Sequence, residues 1–301
     1  MSDTDLVQPF QLDIPNLRGR AVRLGPVLDS LIVRHDYPPV IARLLAEAVT
    51  LAALLAGMLK FDGVFTLQVK GNGAISTLVA DITSQGHLRA YARFSPEQLT
   101  VLGKTPTAQE LLGGGYLALT VDQSGSTERY QGLVELQGET LTEFITYYFK
   151  QSEQIDTAFQ IAVRRDPLQG WQAGGIMLQR LPERDKALDD DGWHRSRLLL
   201  DTVKERELCD PQLGTNELLF RLFHEEEVRV YEPLALDDRC RCTRERVVGV
   251  LQTLTADDLA ELTQQGPAEV RCQFCARLYN FTADEVTRLR GDSPGPEQPL
   301  H

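Results

Sequence analysis

Residues 38–70 read PPVIARLLAEAVTLAALLAGMLKFDGVFTLQVK, and a change of rhythm inside this stretch decides the fold class. Pro38 and Pro39 suit the first turn of a helix, and Val40 to Leu59 is rich in Ala and Leu, both strong helix formers. Apolar residues cover nearly the full circumference of that helix, which predicts burial on most sides. After Asp62-Gly63 the period becomes two, in Phe65-Thr66-Leu67-Gln68-Val69-Lys70. That alternation is the mark of a half-buried strand.

The same period recurs in Leu78 to Ile82, Leu88 to Phe94, Tyr116 to Val121 and Tyr130 to Leu136, with turns at Gly71-Asn72-Gly73, Gly113-Gly114-Gly115 and Ser124-Gly125. These segments predict a mainly antiparallel sheet. Thr140, with Glu143 three residues on, reads as a capping box opening a helix to about Gln154. Phe159 to Val163 and Gly175 to Leu181 return as strands. On the N-terminal side, Leu12 to Val33 reads as short strand-like segments, with turn residues at Gly19 and Gly25-Pro26. The expected class is α+β, an N-terminal antiparallel sheet with packed helices spanning 1–179.

Composition bounds the remaining possibilities. The chain has 301 residues, 42% hydrophobic and 25% charged, enough for more than one folding unit with an ordinary core. A net charge of −12 disfavours a nucleic-acid partner, since phosphate binding relies on Lys and Arg displacing counterions. The apolar run Leu44 to Leu59 is interrupted by Glu47 and falls short of a bilayer span. Met1 to Leu12 carries Asp3 and Asp5 and does not resemble a secretory signal. The expectation is a cytoplasmic protein with no membrane partner, whose thiols stay reduced.

Charge density rises in 180–232, where 23 of 53 residues are Lys, Arg, Asp or Glu. Helical patterns at Trp193 to Glu207 and Thr215 to Glu226 offer only narrow apolar stripes, Leu198, Leu199 and Val203 on one and Leu218, Leu219 and Leu222 on the other. Such a segment is expected to fold by docking its stripes on a neighbour, as a metastable linker of low local stability. The next unit, 233–291, is too small for a generous core. The final stretch, 292–301, is rich in proline and reads as a disordered tail.

That small unit holds Cys240 and Cys242, then after 29 residues Cys272 and Cys275. Four thiolates in two close pairs can close a tetrahedron around zinc and leave no open position, which points to a structural or regulatory ion. Oxidised, the sulfurs can pair off, and both states stay open on spacing alone. A pair two apart in an extended strand has Cα atoms near the upper bridging limit of ~6.8 Å, so Cys240 and Cys242 can join only with local bending. Arg239, Arg241, Arg244, Arg246, Arg271 and Arg277 lie close in sequence and would offset the charge of about −2 on a four-thiolate zinc centre. Thr243 and Thr255 are positioned to cap helices, and Thr282 with Glu285 forms a capping box. The spacing presents Cys272 and Cys275 on a turn beside a short strand, Leu278 to Phe281.

Other candidates are weaker. Cys209, alone in the linker, reads as a semi-buried thiol and not a ligand. His224, followed by three glutamates, reads as a helix end with solvated charges. Gly103-Lys104-Thr105 has the ending of a phosphate loop, but Gln98 stands where the earlier glycine is needed, so no nucleotide site is expected. No catalytic constellation is evident, and the chain is not expected to be an enzyme.

The cysteine arrangement, with Cys242-Thr243-Arg244-Glu245-Arg246 and Cys272-Gln273-Phe274-Cys275 followed by Tyr279-Asn280-Phe281, resembles the zinc domain of the heat-shock protein 33 family of redox-regulated chaperones. Lys60-Phe61-Asp62-Gly63, Tyr130-Gln131-Gly132 and Leu222-Phe223-His224-Glu225-Glu226 through Val230-Tyr231 extend the resemblance in the same order over nearly the whole chain. The resemblance implies an ATP-independent holdase for unfolded client proteins, inactive while Cys240, Cys242, Cys272 and Cys275 bind zinc. It further implies activation when oxidation joins Cys240 with Cys242 and Cys272 with Cys275, releases zinc and unfolds the zinc domain and linker, with a homodimer in the oxidised state. One departure is Ala276-Arg277, where the family often has Gly or Asn, so a left-handed turn there costs more.

Two other classes compete. A zinc-ribbon module for nucleic acid or a transcription partner lacks a net positive charge in 233–291 and an aromatic-basic surface. A thiol-disulfide oxidoreductase would need Cys272-Gln273-Phe274-Cys275 in a βαβ setting that the pattern does not supply.

Overall fold

The computed structural model describes residues 3–14, 16–57, 62–125, 129–181, 190–264 and 266–291. They divide into two compact units, Met1–Arg239 and Cys240–His301. The expected tail 292–301, the last two residues of the long helix as read from sequence, and Lys60 and Phe61 lie outside the described residues.

The first unit opens with β1 (Leu6–Gln11), β2 (Leu17–Leu24), α1 (Pro26–Val33) and α2 (Pro39–Ala56). It continues through β3 (Gly63–Gly71), β4 (Ile75–Thr83), β5 (His87–Phe94), the short helices α3 (Pro96–Thr100) and α4 (Ala108–Leu112), β6 (Gly115–Gln123) and β7 (Arg129–Glu135). Then come α5 (Leu141–Tyr148), extended by one π turn to Glu153, and the long hairpin β8 (Asp156–Asp166) and β9 (Gly170–Arg180). One sheet runs β5-β4-β3-β6-β7 and the other β1-β2-β9-β8, all antiparallel.

Helix α2 supplies the core that both sheets share. Fourteen of its 18 residues are buried, and its Leu44, Leu45, Leu51 and Leu54 join one apolar cluster with Phe65, Leu67, Leu78 and Ala80 of the first sheet and Val22, Ala173 and Met177 of the second. By length and composition α2 could cross a membrane, but 78% of it is buried inside the fold. At Gly175 an added Cβ would come within 3.0–3.2 Å of Ile161, Leu54 and Thr50, so the sheet and the helix approach closely there.

The N-terminal segment differs from its sequence reading. Pro26–Val33 is helix α1 and not a strand, because Leu28, Leu31 and Ile32 fall at helical spacing and are all buried. The strand β1 begins at Leu6, upstream of the expected start, and carries Pro9 in its middle. Its outer edge pairs with two short strands, β10 (Arg229–Val230) opposite Phe10 and Gln11, and β11 (Leu234–Ala235) opposite Leu6 and Val7. Pro9, which lacks an N–H, falls in the gap between them. A third short strand, β12 (Asp237–Asp238), pairs in parallel with β5. At α5 the Thr140 hydroxyl accepts from the Glu143 N–H, while the Glu143 carboxylate accepts from Glu139 and not from Thr140, so the cap is one residue looser than a capping box.

Between β9 and β10 lie α6 (Asp190–Asp201), α7 (Glu205–Leu208) and α8 (Thr215–Phe223), all packed on the sheet face that α2 does not cover. Strand alternation makes this possible: Met177 points to the α2 side, while Ile176 and Leu178 face the linker helices. Phe10, Leu12, Leu17 and Ala21 complete the sheet's contribution, and Leu200, Val203, Leu208, Leu218, Leu219 and Phe223 cover it. The buried stripe of α6 is set by Ser196 and Leu200, whereas Leu198 is exposed; the Leu198-Leu199-Leu200 run hid the phase from sequence reading.

The second unit contains α9 (Arg244–Leu251), α10 (Ala256–Leu262), the hairpin β13 (Ala268–Arg271) and β14 (Leu278–Phe281), and α11 (Ala283–Gly291). Its core is small: Leu251, Leu259, Ala268, Tyr279, Phe281 and Val286 are its buried members among the described residues.

Candidate metal centre

Local structure sets the four cysteines. Cys240 and Cys242 lie in the extended segment that ends at Thr243, whose hydroxyl caps α9 by accepting from the Arg246 N–H. Cys272 and Cys275 occupy the tip of the β13–β14 hairpin. There the Cys272 N–H donates to the Arg277 carbonyl at 2.9 Å and the Ala276 N–H to the Cys272 carbonyl at 2.9 Å. Ala276 sits at φ 57°, the left-handed conformation that Gly or Asn would take with less strain. The turn is nevertheless formed.

All four sulfurs lie within 4.8 Å of one another. Cys240 Sγ is 3.8 Å from Cys272 Sγ, and Cys242 Sγ is 3.4 Å from Cys275 Sγ. A tetrahedron with metal–sulfur bonds of ~2.3 Å has edges of ~3.8 Å, so the donor set matches a zinc ion in size as well as in chemistry. The thiols are half-buried, and no sulfur is committed to a disulfide.

Cys240, Cys242 and Cys275 lie close enough for their proton equilibria to be shared. Cys242 is lowered to about 7: burial opposes its ionisation, and hydrogen bonds from the Tyr279 hydroxyl and the neighbouring thiols outweigh it. The Tyr279 hydroxyl lies 3.1 Å from Cys242 Sγ. Burial raises Cys240 and Cys275, although backbone N–H groups of Cys242 and Arg277 favour the respective thiolates. Opposed directions among touching thiols describe one shared titration, in which one sulfur ionises first and makes the others harder to ionise.

Of the nearby arginines, Arg277 is held charged chiefly by Tyr279, with Cys242 and Cys275 adding to the effect. Arg244 serves the module's packing. Its guanidinium lies 4.2 Å from the Phe281 ring centroid, donates to the Asn280 carbonyl at 2.9 Å and pairs with Glu285 at 2.7 Å. Arg246 donates to the Arg241 carbonyl. The capping box of Thr282 with Glu285 is complete. Tyr279 is the residue that sequence reading left without a role; its only signal was an aromatic placed four residues after Cys275.

Cys209 lies apart from this cluster, buried beneath the linker with its sulfur 3.6 Å from the Ala162 carbonyl, and burial raises its thiol to about 11. His224 begins a 3-10 turn after α8 and stacks obliquely near Phe220. Its neighbour Glu226 is buried and accepts from Arg195, one contact at 3.0 Å. Gly103-Lys104-Thr105 precedes α4 and forms no phosphate loop into a helix of useful length.

The linker is latched at named points. Arg23, buried beneath α7, donates to the Asp210 carbonyl and to the Glu207 carbonyl, the latter at 3.1 Å. The Thr215 N–H donates to Asp3, Gln160 donates to Asp201 at 3.0 Å, and the Asp13 N–H donates to the Glu226 carbonyl at 2.9 Å.

Fold and site together define an α+β protein that carries a separate four-cysteine module able to hold one structural metal ion. The family model described as Hsp33 protein matches residues 5–282, and the chain belongs to that family. The 33 kDa chaperonin of Caulobacter vibrioides is 40% identical over 285 residues, covering 92% of this chain and 94% of that relative. The 33 kDa chaperonin of Pseudomonas aeruginosa is 36% identical over 308 residues, with both chains fully covered. Among solved structures, the 33 kDa chaperonin (heat shock protein 33 homologue) of Thermotoga maritima superposes with a TM-score of 0.80 at 25% identity, covering 95% of this chain and 97% of its own.

Proposed function

We propose that this chain is a cytoplasmic, redox-regulated and ATP-independent chaperone, a holdase that binds unfolding proteins and prevents their aggregation under oxidative stress. Membership of the Hsp33 family supports the chaperone role. The observation that carries the regulatory reading is the convergence of four thiol sulfurs within 4.8 Å in a module whose own apolar core is small. When bound, zinc supplies a closed four-thiolate centre that staples this module.

The chain's own residues carry the switch. With zinc bound, Cys240, Cys242, Cys272 and Cys275 would hold it as thiolates, with the Tyr279 hydroxyl and backbone N–H groups stabilising negative charge on sulfur. Oxidation joins Cys240 with Cys242 and Cys272 with Cys275, each bond forming as two electrons pass to the oxidant. Neither pair would then be able to hold zinc, and the small core cannot keep the module folded alone.

The proposed domain plan keeps 1–179 as the chaperone and dimerisation domain, 180–232 as the metastable linker, 233–291 as the switch domain and 292–301 as a tail. Loss of linker docking uncovers Phe10, Leu12, Leu17, Ile176 and Leu178, a contiguous apolar sheet face of the kind that captures unfolded chains. The oxidised protein acts as a homodimer, with neither nucleic acid nor membrane as partner.

The test is an ATP-free light-scattering assay on a heat-denatured client, run with reduced and with oxidised protein while zinc release and free thiols are followed. Oxidised protein is expected to suppress scattering after zinc release and loss of four thiols. Formation of both disulfides without suppression would defeat the reading.

A further inference from the structure

A second site lies in the first unit, where the N-terminal half of α2 emerges beside the loop before α4 and the turn between β8 and β9. A cleft of about 540 Å³ opens there, within the size range of small-molecule sites. Its floor is apolar and buried, made by Leu44, Leu111 and Trp171. Three cations from three separate elements line it: Arg43 of α2, Lys104 of the loop and Arg165 of β8.

Two of these cations are not spent on the fold. Arg43 uses one nitrogen on the Val163 carbonyl at 2.9 Å, and the side chains of Lys104 and Arg165 make no hydrogen bond or ion pair among the described residues. The acidic members of the lining are Glu47 and Glu139. Burial raises the Glu47 carboxyl above its ordinary range, and the charge of Arg43 opposes that shift. In a chain of net charge −12, a concave lining with three cations against two carboxylates reverses the overall charge balance. Trp171 also offers an indole N–H with no partner among the described residues.

We propose that this cleft binds a small organic anion, its carboxylate, sulfonate or phosphate head held by Arg43, Lys104 and Arg165 and its apolar body laid on Leu44, Leu111 and Trp171. Charge selects the head, because the three basic side chains outnumber the two carboxylates of the lining, and a cation or neutral head leaves that excess unbalanced. The apolar floor selects the body, because inorganic anions leave it in contact with water.

The experiment uses the full chain, reduced and zinc-loaded, with Trp193→Phe so that Trp171 is the reporting tryptophan. Anilinonaphthalene sulfonate is titrated against Trp171 emission, beside its uncharged analogue phenylnaphthylamine. The expected result is one saturable site per chain, with the neutral analogue weaker by at least about tenfold. Lys104→Gln combined with Arg165→Gln should weaken the sulfonate by about tenfold or more while leaving the melting temperature unchanged, since neither side chain makes a hydrogen bond or ion pair among the described residues. Equal binding of the neutral analogue, unchanged affinity in the double variant, or an unresponsive Trp171 would each overturn the proposal.

Discussion

Replacing Gly174 by alanine loads the linker interface through a single methyl group. A Cβ at this position of β9 would stand 2.1 Å from the Leu208 carbonyl oxygen and 2.7 Å from its carbon. Carbon and carbonyl oxygen settle at ~3.3 Å or more, so α7 must retreat by roughly 1 Å. Leu208 and Cys209 ride on that backbone, and Arg23 bonds the carbonyls of Glu207 and Asp210 on either side, so the displacement reaches the latch as well as the packing. Overpacking of this kind costs about 1–3 kcal/mol, which raises the undocked population roughly 5- to 150-fold.

Alkylation of Cys209 reads that population directly, because the thiol is buried while the linker is docked. In reduced, metal-loaded protein the labelling rate should rise by that factor with zinc content unchanged, and the variant should suppress client aggregation without oxidation. A labelling rate within about twofold of the parent would refute the idea that α7 docking guards this face. Loss of hydrogen-exchange protection in β3, β4 and β6 together with the linker would refute its independence from the main fold.

Further outcomes follow from the same contacts. Phe223→Ala removes a fully buried ring whose centroid lies 5.8 Å from that of Phe10; a cost of about 3–5 kcal/mol should melt the linker before the sheets in a urea titration followed by tryptophan fluorescence. Burial raises the Cys209 thiol from 9.0 to about 11. The docked state therefore keeps a proton that the undocked state loses, and docking should be unaffected below pH 9 and weaken by up to about 2–3 kcal/mol as pH rises to 11, a dependence that Cys209→Ala abolishes. Cys209→Ser should leave the zinc content of purified protein unchanged, whereas Cys242→Ser should reduce it sharply; metal analysis of both variants checks the ligand assignment. Tyr279→Phe removes the hydroxyl donor 3.1 Å from Cys242 Sγ, and should slow thiol oxidation at neutral pH by disfavouring that thiolate.

How far the sequence could be read depended on the length of each pattern. The 18 residues of α2 and the nine-residue strands β3, β4 and β6 repeat their periods often enough to fix both type and approximate ends. Pro26–Val33 is too short for that, since a brief apolar run suits a strand as well as a buried helix. The strand β1 was hidden by Pro9, which only the paired outer strands β10 and β11 accommodate. At the metal centre, residue type and spacing pointed to all four cysteines, because a small unit has few other uses for two close pairs. The Tyr279 hydroxyl on Cys242 was not legible, since it depends on the register of the β13–β14 hairpin. Nor was the convergence of Arg43, Lys104 and Arg165, which lie far apart in the chain and meet only through the packing of both sheets on α2.

In the proposed switch, a chemical change at four sulfurs frees the linker from the sheet face beneath it. Hydrogen exchange on the full chain, before and after peroxide oxidation with zinc release confirmed, measures this most directly. Amides of 190–226 should lose protection together with those of the cysteine module, while β3, β4 and β6 keep theirs. Client binding by an oxidised protein whose 190–226 amides remain as protected as in the reduced state would contradict the account.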